Sequence, residues 1–298
     1  MQAVTQNPAL RELGFAPQDR VVIVHADDVG MCGATIDAFF ELLADGLTSA
    51  GSVMVPCPWF PDVATRCRGR TDLDLGVHLT LTSEWDGYRW GPISSRDPAS
   101  GLLDEEGYFY RNQDRWGTID PESARCEITA QVDRAEAAGI DVTHVDTHMG
   151  AVLNSSLTDD YVRLGVARRT PVLVTRDPAW IDAATEPKLA AWEQQGVPIF
   201  DHIRVMPQNP PATDWLALTK QLFDELPVGL TYLITHPASD TPELQAIAGD
   251  WRQRVAEFET LRDPELVRYV RALGVQVVGW RPFRDLMRNG CINAEGEA

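Results

Sequence analysis

The chemistry-bearing residues of this chain fall at the ends of apolar runs. Val21-Val22-Ile23-Val24 leads into His25-Ala26-Asp27-Asp28, with Gly30 and Gly33 close behind. Two adjacent carboxylates are repulsive unless a cation or a shared proton sits with them. In α/β proteins the carboxyl ends of strands are where sites are built. Asp27 and Asp28 therefore read as the start of a metal-dependent hydrolytic site. The plainer alternative is a structural pair, one carboxylate capping the next helix and the other solvated.

The chain has six histidines, and most stand at or near predicted strand ends. His78 lies in Gly-Val-His-Leu-Thr, His236 ends a later apolar run, and His25 stands beside the acidic pair. His144, Asp146 and His148 alternate, so in an extended strand they share one face and can converge. Asp27 and Asp28 would point to opposite faces of a regular strand, so sharing a site requires the backbone to turn there. One carboxylate with two imidazoles makes a borderline-hard donor set with positions left for water. Asp28, His78 and His148 would serve, and Asp146 could orient His144 or a ligand imidazole from behind. Taken singly, each histidine is more often a hydrogen-bonded core residue; several at successive strand ends are harder to read that way.

The elements that must position these residues alternate strand with helix. Strands are expected at 20–26, 48–55, 73–81, 140–148, 172–175, 229–235 and 275–280. Helices are expected at 33–46, 61–69, 122–138, 158–169, 212–225, 241–259 and 263–273. Residues 1–18 read as an arm or short helix, and 176–210 as a less regular stretch with a tryptophan-bearing helix. This order signals a parallel α/β sheet or barrel, with an open doubly wound sheet as the other arrangement. Residues 83–119 interrupt the rhythm and carry Trp85, Tyr88, Trp90, Tyr108 and Trp116. They read as an ordered excursion over the barrel mouth, its rings either stacking on sugar faces or anchoring the loop.

The 298 residues carry a formal charge of −18, which repels phosphate backbones and argues against nucleic acid as a partner. No long apolar run suggests a membrane span, and the first residues lack the features of a signal peptide. Five scattered cysteines without a CxxC pattern fit reduced thiols. A cytoplasmic enzyme of one domain, residues 1–298, is expected.

His-Ala-Asp-Asp-Val-Gly (25–30), Thr-Ser-Ala-Gly-Ser-Val-Met-Val (48–55), Gly-Val-His-Leu-Thr-Leu-Thr (76–82), Thr-His-Val-Asp-Thr-His (143–148) and Thr-His-Pro (235–237) stand in the order of the YdjC-like, ChbG-type carbohydrate deacetylases. The segment at 101–109 and the tail from Trp251 to Leu286 are similar as well, so the resemblance spans about 19–287. It implies a distorted (β/α) barrel related to the NodB-type deacetylases, and removal of N-acetyl groups from an acetylated amino sugar or small oligosaccharide. It also implies one divalent metal and, commonly, a homodimer. By position, Asp28, His78 and His148 match the metal ligands, Asp27 the catalytic base and His236 the histidine assisting the leaving group. His25, His144, Asp146, Trp85 and Tyr108 would support the site or meet substrate. The family association favours Mg2+, whereas the donor set favours Zn2+, Co2+ or Mn2+.

The pattern departs from the family after His148. Relatives commonly read Asp-Ser-His-His-His-Val-His, where this chain has Asp146-Thr147-His148-Met149-Gly150-Ala151-Val152. The first histidine is kept, and substrate contacts made by the later ones must differ. Two other readings are an esterase or phosphoesterase on the same barrel, with Arg176 and Arg204 as the nearest candidate cations, and a non-catalytic carbohydrate-binding protein.

Overall fold

A computed structural model describes residues 6–114, 119–153 and 156–290. Trp116 and Cys291 lie outside the described residues. The short arm contains helix α1 (Pro8–Glu12), capped by the Asn7 side chain on the Ala9 and Leu10 N–H groups.

The centre of the molecule is β1 (Arg20–Val29), buried along almost its whole length. Around it lie β2 (Ala50–Val53), β3 (Leu75–Leu79), β4 (Val142–Thr147), β5 (His202–Val205), β6 (Gly229–Thr235) and β7 (Gln276–Val277). All pair in parallel in one sheet of order β4-β3-β2-β1-β6-β5, with β7 beside the start of β1. Among the described residues, the gap between β4 and β5 is crossed by isolated pairings, Val145 of β4 with Val172 and Thr175 with Phe200 just before β5. The sheet is thus a distorted barrel rather than a closed one.

The expected strand at 172–175 is reduced to those single bridges, and the last strand to two residues. Pro171 and the turn at Asp177 leave too little extended backbone for a regular ladder. The expected helix at 241–259 is two helices, α8 (Pro242–Ile247) and α9 (Trp251–Leu261). Between them Ala248 adopts extended backbone, and Gly249-Asp250 follows. The other helices are α2 (Gly33–Asp45), α3 (Phe60–Cys67), α4 (Pro121–Ala137), α5 (Thr158–Arg168), α6 (Leu189–Gln194), α7 (Trp215–Asp224), α10 (Pro264–Ala272) and α11 (Arg281–Asn289).

The period-two alternation of β1 sorts its side chains cleanly. Val22 and Val24 pack outward with Phe223, Phe258, Leu266 and Val270 of the helices. Val21 and Ile23 pack inward with Phe200, Leu230, Tyr232 and Trp280. His25 and Asp27 continue that inward face toward the carboxyl end of the strand. The interior is therefore apolar at the start of the strands and polar at their ends. The excursion at 83–119 is pinned to the body: Trp90 Nε1 donates to the Thr82 carbonyl at 2.7 Å, and Tyr88 Oη to the Met31 carbonyl at 2.5 Å.

Candidate metal and acid-base centre

Asp28 is the turning point of the site. Its φ is +60°, a left-handed conformation uncommon for a residue with a side chain. The pairing of β1 with β2 slips between Ala26 and Val29 at the same place. This bulge lets both carboxylates of the pair reach the barrel interior, as bulges beside sites commonly do.

Donor atoms of Asp28, His78 and His148 lie within 4.8 Å of one another, all buried. His148 Nδ1 is 3.0 Å from Asp28 Oδ1, and His78 Nε2 is 3.4 Å from the same oxygen. Ligands held at about 2.0–2.2 Å from one ion are themselves about 3–3.5 Å apart, so these spacings suit a single divalent cation. Each imidazole is backed on its far side by a carboxylate. His78 Nδ1 lies 3.0 Å from Asp146 Oδ1, and His148 Nε2 lies 3.0 Å from Glu84 Oε2. Such backing fixes the tautomer and leaves the other nitrogen free to ligate.

The electrostatics favour a cation as well. Burial pushes the Asp28 carboxyl up, but Arg254 and His148 outweigh it and hold the group well below the usual range. Burial pulls His148 down, yet Glu84 and Asp28 lift it to about 9. His78 behaves alike, with Asp146 and Asp27 carrying it well above its ordinary value against burial. Both imidazoles thus hold protons that a metal would replace. Among the described residues, Arg254 is the one guanidinium or ammonium in ion-pair contact with Asp27, Asp28 or Asp146. It spends itself on Asp28 Oδ2 at 2.8 Å and Asp250 at 2.9 Å, leaving Asp28 Oδ1 facing the histidines.

Asp27 stands beside this cluster with Oδ2 3.9 Å from His78 Nε2 and 3.8 Å from His236 Nε2. Its Oδ1 meets His25 Nδ1 at 2.7 Å and Tyr232 Oη at 3.5 Å. His236 follows the end of β6, and its backbone N–H is gripped by buried Glu257 of α9 at 2.5 Å.

His144, Asp146 and His148 do not converge on one point. β4 ends at Thr147, and His148 swings off it in a turn with Met149 at φ +51° and Gly150 at φ +68°. His148 joins Asp28 and His78, while His144 stays deeper, 2.7 Å from His25 and stacked on Trp280 at 4.7 Å. Asp146 accepts from Ser52 at 2.9 Å and Tyr232 at 2.8 Å and pairs with His78; it makes no hydrogen bond with His144. Met149, next after His148, is 48% exposed, its sulfur accepting from the Thr82 hydroxyl.

Tyr108 is exposed beneath the Arg89 guanidinium, 5.3 Å from it. Trp85 packs against the main core beside Gly249. Neither ring hydrogen-bonds to the cluster or stacks on it. The ring of the excursion that nears it is Trp90, whose centroid is 6.2 Å from that of His148. Arg176 and Arg204 pair with Glu193, Asp201 and Asp177, away from the cluster.

Sequence reasoning missed Arg254, Glu84, Tyr232, Ser52 and Glu257 as neighbours of the site. Glu84 lies two residues beyond Gly-Val-His-Leu-Thr-Leu-Thr (76–82), in the segment that leaves β3, a position that could have drawn notice. Arg254 and Glu257 share one helical face by their three-residue spacing, but nothing local says which face is buried.

The fold and cluster together define a parallel α/β protein with a candidate divalent-metal and acid-base centre at its strand ends. Residues 21–272 match the profile of the YdjC-like proteins, and the chain belongs to that family. It is similar to a carbohydrate deacetylase of Thermus thermophilus, 35% identical over 93% of this chain and 98% of that one. A carbohydrate deacetylase of Brevibacillus brevis is 27% identical, covering 86% of this chain and 97% of its own. Among solved structures, a protein described as a candidate cellobiose-phosphate cleavage protein from Enterococcus faecalis superposes with a TM-score of 0.73. Its identity is 22%, and the match covers 88% of this chain and 98% of that one; that likeness bears on the fold. No helix among the described residues is long and apolar enough to cross a membrane.

Proposed function

We propose that this chain, read as one domain, is a metal-dependent deacetylase that removes N-acetyl groups from an acetylated amino sugar or small oligosaccharide. The observation that carries the reading is the Asp28–His78–His148 donor set, with Asp27 and His236 beside it. The names of the relatives support the substrate class.

Asp28 Oδ1, His78 Nε2 and His148 Nδ1 would hold the ion. A bound divalent ion supplies Lewis-acid polarisation of the acyl carbonyl and acidification of water. Asp27, fixed through Oδ1 by His25, takes the proton of the attacking water on Oδ2 as general base. His236, whose side chain is 32% exposed, reaches toward the same space and gives a proton to the departing amine. Arg254 neutralises the outer oxygen of Asp28 and keeps it a carboxylate. Phosphate chemistry is disfavoured, because Arg254 is already committed to two carboxylates.

The test is acetate release from N-acetylglucosamine and short chitooligosaccharides by chelated protein reloaded separately with Zn2+, Mg2+, Mn2+ and Co2+. Release restored by an ion, absent in Asp28→Ala and lowered by about 10²–10⁴ in Asp27→Asn is the expected result. Equal release with and without chelator, or by Asp28→Ala, would overturn the metal reading.

A further inference from the structure

The rim of the barrel mouth carries an indole that the chemistry above leaves unused. The strands are parallel, so the segments that follow β1, β2 and β6 meet at one end of the sheet. Each sends one residue into a single cluster. Trp59 lies in the turn between β2 and α3, Gly33 opens α2 after β1, and Glu243 stands in the first turn of α8 after β6. Trp59 Nε1 donates to Glu243 Oε1 at 2.9 Å, and the Gly33 N–H donates to Glu243 Oε2 at 3.3 Å. The benzo ring of the indole covers Gly33. A Cβ there would sit 3.1, 3.2 and 3.4 Å from Cη2, Cζ2 and Cζ3 of Trp59, near-equal distances that mean the face of the ring, not its edge, lies on the glycine. The ring is thus held at its one polar atom and over one face, yet Trp59 is 36% exposed. The opposite face is what it offers to solvent. Tyr108, exposed to a like degree, has the Arg89 guanidinium against its ring instead.

The cluster stands on the His236 side of the centre. The Ser239 N–H donates to the Ala34 carbonyl at 3.0 Å, which ties the segment leaving His236 to the turn of α2 beneath the indole. Met31, between Asp28 and Gly33, bonds back to the Asp28 carbonyl at 3.0 Å. If His236 protonates the departing amine, the sugar lies on that side of the acyl carbon, and a chain attached to it leads toward Trp59.

We propose that Trp59 is a specificity-determining residue: its free face stacks on a pyranose unit next to the one whose N-acetyl group is removed. A flat apolar face suits a sugar ring with equatorial hydroxyls, whose axial C–H bonds meet the indole while the hydroxyls stay in water. Nε1–H is already bonded, so stacking costs no polar contact. A ring pinned beforehand also loses little freedom on binding. Each Glu243 oxygen keeps a lone pair for a sugar hydroxyl at the edge of the platform. The preferred substrate is then an oligosaccharide rather than a single sugar. This assignment rests on the deacetylase reading for its direction, but binding to the platform is tested without turnover.

The test compares N-acetylglucosamine with chitotriose. In the metal-loaded enzyme the wild type should favour chitotriose in kcat/KM. Trp59→Ala should shrink that preference at least tenfold, and Trp59→Phe should keep most of it. Binding is read in metal-loaded Asp27→Asn, whose turnover is slow. There the indole N–H resonance of Trp59, assigned in 1H–15N spectra by its absence from the Trp59→Ala double variant, should move on titration with chitotriose. Calorimetry should show the double variant binding chitotriose at least fivefold more weakly. A wild type without preference, a preference unchanged within twofold in Trp59→Ala, or a resonance unmoved at saturating chitotriose would overturn the proposal. A resonance that moves while no ion restores acetate release in the wild type would keep the platform and fault the deacetylase reading. Protein that neither binds chitotriose nor releases acetate from it would overturn both.

Discussion

Arg254→Met tests the electrostatic logic of the centre most directly. Arg254 is 4% exposed and Asp28 1%, with 2.8 Å between the guanidinium and Oδ2. Removing one partner of such a buried pair leaves an uncompensated charge, at a loss of about 3–5 kcal/mol. An unfolding entropy of about 2.1 cal/mol/K per residue gives roughly 0.6 kcal/mol per degree for this chain, so the melting temperature should fall by about 5–8 °C. The pH dependence carries the diagnosis. Asp28 is held below its unfolded value of about 3.9, so its stabilising contribution is present above that value and is lost as pH falls through the folded value. Without Arg254 burial weighs more heavily on the carboxylate, and Asp28 protonates at higher pH. The penalty should therefore be full at pH 7 and shrink on acidification toward pH 4.5. Thermal melts in chelator at both pH values, with exposed Arg252→Met as the control on the same helix, make the measurement. A fall below 2 °C at pH 7, or an equal fall at pH 4.5, would refute the role given to Arg254.

Three further outcomes follow from the same geometry. His148 at about 9 and His78 above its ordinary value must shed protons to ligate a cation, so loading at pH 7.5 should release at least one proton per ion. Calorimetric enthalpies in Pipes and Tris should differ accordingly, and buffer-independent enthalpies would count against these ligands. By the same linkage, the stability His148 contributes to metal-free protein is fully present below its unfolded value of about 6.5 and is lost as pH rises through about 9, which melts between pH 6.5 and 9.5 would register. Gly76→Ala drives a Cβ to 2.6 Å from the His144 ring and carbonyl, an overpacking worth about 1–3 kcal/mol, or roughly 2–5 °C in melting temperature; an unchanged melt would show that the strands give way freely.

The sequence by itself determined where most strands and helices lie, because hydrophobic periodicity and glycine or proline punctuation act over a few residues. It also placed Asp28, His78 and His148 at strand ends, since an apolar run that stops at an ionisable residue is visible locally. Whether the acidic pair could share one site was left to a backbone turn, and the structure supplies that turn at Asp28 itself. Tertiary structure alone decided that His144 parts company with His148, because that depends on where β4 stops pairing with β3. It alone brought Arg254 of α9 onto Asp28, across 226 residues of chain. It alone laid Trp59 over Gly33 and tied it to Glu243. Those contacts are set by strand order, register and helix docking, which are non-local packing outcomes that no window of neighbouring residues encodes.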